Sequence, residues 1–362
     1  MTNVELTNYP GVEPLVEVTR GSLVESIHYG ALAVVDARGD LVAHAGDPSL
    51  KAYLRSSAKP FQLLPLVESG GAEHFGFSDR ELAVMAASHA GEPRHVETVQ
   101  GILARIGLTE DALQCGAHWP SGAEAALGLY GSGRRPTPIH NNCSGKHAGM
   151  LAQAVYRGLS LADYLDPRHP VQLAITRTLA ELSDLDPGDI DIGIDGCSAP
   201  CFALPLQKCA LAFARLADPS ALPEPRRSAI RRMVSAMTAY PEMVAGEGAL
   251  EPDLMRAKRD RFDTALMRAA KGRVLSKGGA EGYQGLAVLP TGLGIAIKII
   301  DGSGSRGGPP LALEVLRQLG ALDQATLDEL REYGAAILTN RRELEVGQIR
   351  AVVKLFNVTH VL

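Results

Sequence analysis

Two residues near the start of the chain have the spacing of a nucleophile and its base. Ser56 and Lys59 are three positions apart in the stretch 54–62, just ahead of the apolar run 61–67. On a helix this spacing puts both side chains on one face, within contact distance. A serine becomes a nucleophile when a base takes its proton, and a buried lysine with a lowered pKa can be that base. The pattern therefore predicts a serine–lysine pair, against the ordinary alternative of a helix-capping serine beside a solvated lysine.

Cysteines in two further segments have the character of metal ligands. Cys143, Lys146 and His147 share one face if a helix begins near Cys143, and a helix N-terminus favours a thiolate. Cys197 follows Asp195 in a loop at the end of a predicted strand, where ligands gather. Because thiolate and imidazole are good zinc ligands, these residues are candidates for a zinc site. The alternative is a set of buried structural thiols.

Three other segments carry weaker signals. Ser88 and His89 follow a predicted helix, where they could also be a simple C-cap. Lys277 precedes two glycines after a short predicted strand, which lets the backbone approach a substrate closely. The glycine-rich segment 302–307 has the position of a dinucleotide loop, but Pro309 and Pro310 separate it from the next helix. Too little chain follows to supply the strands of a dinucleotide-binding domain, so we expect no nucleotide cofactor.

The elements that must position these residues predict an α/β (α+β) fold. Strand patterns occur near both ends of the chain, over residues 15–18, 22–35, 41–45, 274–275, 286–289 and 294–300. Helical patterns fill most of the middle. Strands from the two ends can complete one antiparallel sheet with the helices packed against it. We expect residues 1–362 to form a single compact domain with a flexible N-terminal segment over residues 1–13.

The composition argues against several classes of protein. The chain of 362 residues has a net charge of −5 and no basic patch, so we expect no nucleic-acid partner. No stretch of eighteen apolar residues occurs, so we expect no membrane span. Five cysteines without an apolar leader segment predict reduced thiols and a cytoplasmic location.

Taken together, the candidate motifs resemble those of the asparaginase II family, the class 3 or Rhizobium etli-type L-asparaginases. The motifs stand in the family's order and are 55–62, Ser88-His89, 142–147, 195–198 and 277–282. The resemblance extends from about Leu15 to the C-terminus. It implies a fold similar to serine β-lactamases and penicillin-binding proteins, and it implies a homodimer.

The resemblance also implies a role for each candidate residue. The implied catalytic residues are two serine–lysine pairs, the nucleophile Ser56 with its base Lys59, and Ser88 with Lys277. The implied zinc ligands are Cys143, Lys146 and Cys197. The implied substrate-binding residues are Arg55, His147 and Asp195. A lysine ligand must be a neutral amine, so zinc occupancy should fall at low pH.

These implied roles predict an L-asparaginase that hydrolyses L-asparagine to L-aspartate and ammonia, with zinc shaping the pocket. Lys277-Gly278-Gly279 stands where lysine-threonine-glycine is frequent, and residues 246–255 lack a cysteine that some relatives carry. Both departures bear on substrate breadth, and the preference between asparagine and glutamine stays open. One alternative is a zinc-dependent amidohydrolase that attacks another small amide with metal-bound hydroxide. Another is a non-catalytic zinc or amino-acid sensor. A penicillin hydrolase would leave the cysteine set without a role.

Overall fold

The computed structural model describes residues 11–248 and 260–358. Most of the segment predicted to be flexible, residues 1–10 of 1–13, lies outside the described residues. Among the described helices, none combines the length and the apolar character that crossing a membrane requires.

The described chain alternates groups of strands with a long helical middle. The strands are β1 (Glu13–Arg20), β2 (Leu23–Val35), β3 (Leu41–Ala45), β4 (Lys51–Tyr53), β5 (Asp191–Ile194), β6 (Pro200–Pro205), β7 (Val274–Gly279), β8 (Tyr283–Val288), β9 (Leu293–Ile299), β10 (Ile337–Thr339), β11 (Glu345–Ala351) and β12 (Phe356–Asn357). The α-helices are α1 (Lys59–Glu68), α2 (Gly71–His74), α3 (Asp79–Met85), α4 (Pro93–Arg105), α5 (Ala123–Gly131), α6 (Ser144–Tyr156), α7 (Pro170–Ser183), α8 (Leu206–Ala217), α9 (Arg226–Ala239), α10 (Pro241–Val244), α11 (Phe262–Ala269), α12 (Gly304–Gln318) and α13 (Gln324–Glu329).

One antiparallel sheet joins the two ends of the chain. In the described residues it has nine strands, in the order β10-β11-β1-β2-β9-β8-β7, with β3 paired to β2 and β12 paired to β3. The junction between the two ends is the pairing of β2 with β9, from Gly30 opposite Ile299 to Val35 opposite Gly294. The prediction of one antiparallel sheet completed by strands from both ends, with helices packed against it, is confirmed.

Both faces of the sheet are apolar, and β2 shows why. Side chains alternate between the faces of a strand. Ala31, Ala33 and Val35 belong to an apolar cluster with helices α1 and α8. The intervening Leu32 and Val34 belong to a second cluster with α11 and α12. Helices therefore cover the sheet on both sides at this point, which explains the continuous apolar sequence over residues 30–35 of β2.

The structure adds elements that the sequence patterns did not predict in the middle of the chain. Helix α5 lies within residues 115–142, a segment rich in glycine, proline and serine that shows no clear helical pattern. Its glycines and almost unbroken apolar sequence lack the helical period that would mark one buried face. Strands β4 and β6 join β5 in a separate three-stranded sheet. Strand β6 has proline at both ends and no β-branched residue, so its pattern is weak.

One prediction near the C-terminus was wrong. Helix α12 begins at Gly304 and continues through Pro309 and Pro310, so these prolines do not separate the glycine-rich segment from its helix. Proline costs a helix a hydrogen bond, but both prolines are buried, and tertiary packing supplies most helical stability in proteins. The sequence patterns also did not predict strands β10 and β11, of which β11 lies between β10 and β1 in the sheet.

Candidate active site

Segments far apart in sequence meet around a cavity of about 390 Å³. Ser56 comes from a 3₁₀ helix at Arg55–Ala58, just before α1. Ser88 follows the end of α3, and Lys277 lies on β7. All three side chains contribute to the cavity wall. The structure therefore brings together one serine from each predicted serine–lysine pair and one of the two lysines at a common cavity.

The 3₁₀ helix is fastened directly to strand β7. The Ser57 hydroxyl donates a hydrogen bond to the Lys277 carbonyl oxygen at 2.5 Å. A Cβ atom on Gly279 would overlap the Leu54 carbonyl oxygen, so the two segments approach more closely than any other residue at position 279 would permit. This approach sets the position of Ser56 relative to Lys277.

We expect Gly279→Ala to lower the free energy of unfolding by about 1–3 kcal/mol, because the new methyl group must push two backbones apart. Urea denaturation measures this change. The matched control is Gly278→Ala, whose Cβ would meet only side-chain ends, Gln284 Oε1 at 3.2 Å and Asp263 Oδ2 at 3.3 Å. A smaller loss is expected for that control, and equal losses would contradict the close approach at Gly279.

The Ser88 hydroxyl lies between two lysine amines. Lys59 Nζ and Lys277 Nζ are each 2.9 Å from Ser88 Oγ. Lys59 Nζ also donates to the carbonyl oxygens of Ala87 at 2.5 Å and Asn142 at 3.2 Å. Lys277 Nζ donates to its neighbour Gly278 O at 2.8 Å. This arrangement can pass a proton between either amine and the hydroxyl.

Burial makes both amines unusually weak bases. Lys59 is 1% exposed and Lys277 is fully buried. Burial lowers the pKa of Lys277 to about 7, with Asp263 opposing the change and the positive charge of Lys59 adding to it. Burial also lowers the pKa of Lys59, although the nearby Cys143 thiolate opposes that change. A neutral amine is therefore available near pH 7 to accept a proton.

Ser56 has a different environment from the one its spacing predicted. Its side chain is half-buried and faces the cavity, but within the described chain no hydrogen bond joins it to Lys59. Arg55 has a left-handed backbone, with φ 51°, and the α-helix begins only at Lys59. Ser56 and Lys59 therefore do not lie on one continuous α-helical turn, and the Lys59 amine reaches Ser88 instead.

The three predicted zinc ligands lie together beside this cluster. Lys146 Nζ is 2.9 Å from Cys197 Sγ, and the Cys143 thiol donates to Asn142 Oδ1 at 3.1 Å. Cys143 and Cys197 lie close enough to shift each other's pKa. All three side chains are buried. Cys143 immediately precedes α6, and Ser198, which follows Cys197, has a left-handed backbone with φ 67°. The predicted helix N-terminus at Cys143 and the predicted loop with Cys197 thus lie next to each other.

The chemistry of this donor set fits a zinc ion. The interaction with Cys197 and the positive charges of Lys59 and Lys146 hold the pKa of the Cys143 thiol well below its usual range, despite burial. Burial opposes the charged form of Lys146, yet Cys143 and Cys197 raise its pKa, so zinc would have to displace a proton from this amine. Among the described residues, no group of three or more His, Cys, Asp or Glu side chains could hold a metal, so the third protein donor would have to be Lys146.

The three residues expected to bind substrate are not part of the cavity wall. Arg55 Nε and Nη2 donate to Asp195 Oδ1 at 3.0 and 2.8 Å. Burial raises the pKa of Asp195, but the pairing with Arg55 outweighs burial and holds this pKa below its usual value. His147 is fully buried, with Nδ1 2.7 Å from the Tyr164 hydroxyl. Burial keeps the pKa of His147 well below its usual range, so its ring is neutral.

Comparison with known proteins decides the family. The sequence pattern of L-asparaginase II matches residues 16–351. The chain belongs to the L-asparaginase II family. The resemblance drawn from the motifs is thereby confirmed, and membership supports an amidohydrolase with a small-molecule substrate. A search of curated proteins gave no match.

Solved structures similar to this asparaginase II chain include Mglu in its native form and a beta-lactamase from Mycobacterium bovis. Mglu is 16% identical over 82% of this chain and 67% of its own, with a TM-score of 0.41. The beta-lactamase is 16% identical over 80% of this chain and 94% of its own, also with a TM-score of 0.41.

Several cavity residues of this asparaginase II chain were not identified from its sequence. Asp263 accepts hydrogen bonds from Ser276 Oγ at 2.7 Å, Gln284 Nε2 at 3.0 Å and the backbone N–H of Gly278 at 2.8 Å. It thereby fixes the strand that carries Lys277. Arg261, two positions earlier, also borders the cavity. No motif identifies either residue. The sequence shows only that two charged residues, Arg261 and Asp263, stand at the start of the segment that forms α11.

Proposed function

We propose that this chain is an L-asparaginase that hydrolyses the side-chain amide of L-asparagine through a serine ester. The observation that supports this most directly is the Ser88 hydroxyl between two buried amines, in a cavity that Ser56 also faces. Such a cluster can remove a proton from a serine and return it to a leaving group. Family membership supports the amide as the bond that is broken.

In the first step, Ser56 Oγ attacks the amide carbon. Its proton passes to the amine of Lys277 or Lys59 through the Ser88 hydroxyl. The carbon–nitrogen bond then breaks, the nitrogen takes up the proton and leaves as ammonia, and a β-aspartyl ester of Ser56 remains. In the second step, water gives a proton to the same amines and attacks the ester carbon. Aspartate leaves, and the Ser56 oxygen regains its proton.

The assignment of Ser56 as nucleophile is supported by the two serine environments. Ser56 is the more exposed of the two, and its hydroxyl makes no hydrogen bond to the described residues. The Ser88 oxygen is already in contact with both amines, which suits a proton relay. Hydrogen bonds in an apo site often shorten only when substrate binds, so the open geometry around Ser56 is compatible with attack.

We propose that Cys143, Lys146 and Cys197 hold a zinc ion. When bound, zinc would supply a fixed positive charge that shapes the pocket and helps to orient the substrate. The chain's own contribution is the buried Cys143 thiol, whose lowered pKa favours loss of its proton, and an amine at Lys146 that must also lose its proton to bind.

We also propose a cytoplasmic homodimer in which the chain is one domain. All five cysteines are free and buried, which suits a reducing compartment. Both apolar clusters pack on the same sheet, which supports a single domain. Light scattering of the purified chain would measure its assembly, and a mass of one chain would contradict the dimer.

An ammonia-release assay over a panel of amides, with zinc quantified in the same sample, tests the proposed activity. We expect turnover of L-asparagine. Reversible loss of all chemistry on chelation, with substrate still bound, would favour the zinc-dependent amidohydrolase instead. Binding of L-asparagine with no ammonia after long incubation would favour the sensor.

The pH profile follows from the lowered pKa of Lys277. Its ordinary value of 10.5 falls to about 7 in the folded protein, and only the neutral amine accepts a proton. We therefore expect kcat/KM to rise about tenfold per pH unit below pH 7 and to level off above it. Initial rates between pH 5.5 and 9, checked for intact folding at each pH, measure this. A flat profile would exclude Lys277 as the group that must be neutral.

A further inference from the structure

Arg261 presents a cation to the proposed catalytic cavity. Its guanidinium borders the cavity together with Ser56, Ser88 and Lys277. Nη1 donates to the Ser88 carbonyl oxygen at 3.1 Å and to Ser121 Oγ at 3.1 Å. The side chain is therefore anchored to the backbone of a residue in the proton relay.

Most of the hydrogen-bonding capacity of Arg261 is unused by the described protein. A guanidinium has five N–H donors, and here Nε and Nη2 have no acceptor among residues 11–248 and 260–358. Nor does the side chain make an ion pair with a carboxylate in those residues. Arginine stays protonated even where burial lowers its pKa, as it does here. Within the described residues the charges of Asp263 and Glu92 oppose this lowering of the pKa, but no carboxylate there accepts a hydrogen bond from Nε or Nη2.

The acidic residues beside Arg261 are already occupied. Asp260 Oδ2 accepts from Arg268 Nη1 at 2.6 Å. Both oxygens of Asp263 are bonded to groups of β7 and β8. Neither carboxylate therefore forms an ion pair with Arg261, although the charge of Asp263 opposes the lowering of the guanidinium pKa by burial. An anionic group of a ligand could accept the hydrogen bonds that Nε and Nη2 do not make to the described residues.

Arg55, which the motif resemblance assigns to the substrate, differs in this respect. Its Nε and Nη2 atoms both donate to Asp195, and Nη1 is 3.9 Å from the Glu281 carboxylate. The edge of the guanidinium best suited to a carboxylate is thus already engaged.

We propose that Arg261 binds the carboxylate of the substrate and restricts the enzyme to amides that carry one. This inference rests on the proposed amidase function. A carboxylate held by Nε and Nη2 would form a bidentate pair, which gives orientation as well as affinity. Because the same guanidinium contacts the Ser88 backbone, the contact would also fix the amide relative to the two serines. Arg261 is therefore a specificity residue rather than a participant in proton transfer.

Three substrates test whether Arg261 binds the substrate carboxylate or has a purely structural role. L-asparagine has both α groups, succinamate lacks the α-ammonium, and 3-aminopropanamide lacks the α-carboxylate. We expect Arg261→Gln to lower kcat/KM about 10- to 100-fold for the first two, which is the range for a charge-assisted hydrogen bond, and to change 3-aminopropanamide less than about twofold. Arg261→Lys keeps the charge and should recover part of the loss. The loss should appear mainly in KM.

Arg55→Gln in the same assay tests the alternative that Arg55 binds the carboxylate. Selective loss on the carboxylate-bearing substrates in Arg55→Gln, with none in Arg261→Gln, would overturn the inference. Equal losses on all three substrates in Arg261→Gln would also overturn it, because they would indicate a structural role. Calorimetry with succinate is independent of turnover: binding that Arg261→Gln abolishes would support the carboxylate site even if the wild-type chain released no ammonia. Unchanged succinate binding would contradict it.

Discussion

Replacing Ser56 with alanine is expected to lower ammonia release from L-asparagine by about 10⁴-fold or more, the scale seen when a serine nucleophile is removed. The substitution deletes one half-buried hydroxyl that has no hydrogen bond to the described residues, so the free energy of unfolding should stay within about 0.5 kcal/mol of the wild-type value. Steady-state kinetics and urea denaturation measure the two effects on the same preparation.

A covalent label distinguishes the two serines of the cavity. A diazoketone analogue of asparagine should modify Ser56 in the wild-type chain, and peptide mass spectrometry locates the modified residue. Ser88→Ala should still be labelled, but more slowly, because Ser56 remains while the relay to Lys59 and Lys277 is broken. Labelling at Ser88 in the wild-type chain, or full turnover by Ser56→Ala, would reverse the roles assigned to the two serines.

The sequence predicted the sheet well because the information lies in the strands themselves. The alternating and continuous apolar patterns of β2 and β9 are strong, and only a sheet joining the two ends of the chain buries both. Strand β11 is short and carries polar residues at three of its seven positions, and it lies between β10 and β1, so its pairing with β1 depends on tertiary contacts that no local pattern records.

The sequence identified several residues of the candidate site, but it did not predict which of them contact one another. Ser56 and Lys59 were identified through their spacing, yet spacing is local, and the Lys59 amine bonds instead to a serine 29 positions away. The position of Arg261 was missed for a related reason. Its relevance comes from a guanidinium that makes no ion pair with the described carboxylates, and the pairing of charges is visible only in the folded structure, where Arg268 binds Asp260 and groups of β7 and β8 bind Asp263.

Replacing Lys277 with methionine is expected to lower kcat for L-asparagine about 10²- to 10⁴-fold, the range for removing a general base. Methionine fills much of the volume of the buried lysine without its amine. Lys298→Met on β9 is the matched control, because Lys298 is a partly buried lysine that donates to the Glu281 carbonyl oxygen, outside the cavity wall. Its activity should remain within about twofold of the wild type.

Stability against pH gives a second measure of the state of Lys277. Between pH 7 and 10.5 the unfolded chain keeps a proton on this lysine that the folded chain has lost, so the unfolded state binds more protons and stability rises with pH. This single group contributes about 1.4 kcal/mol per pH unit in that window. The difference in unfolding free energy between the wild type and Lys277→Met should therefore change with that slope, in favour of the wild type as pH rises. A difference that is constant across the window would mean that the folded protein keeps Lys277 charged, and a charged amine could not accept the proton of Ser56.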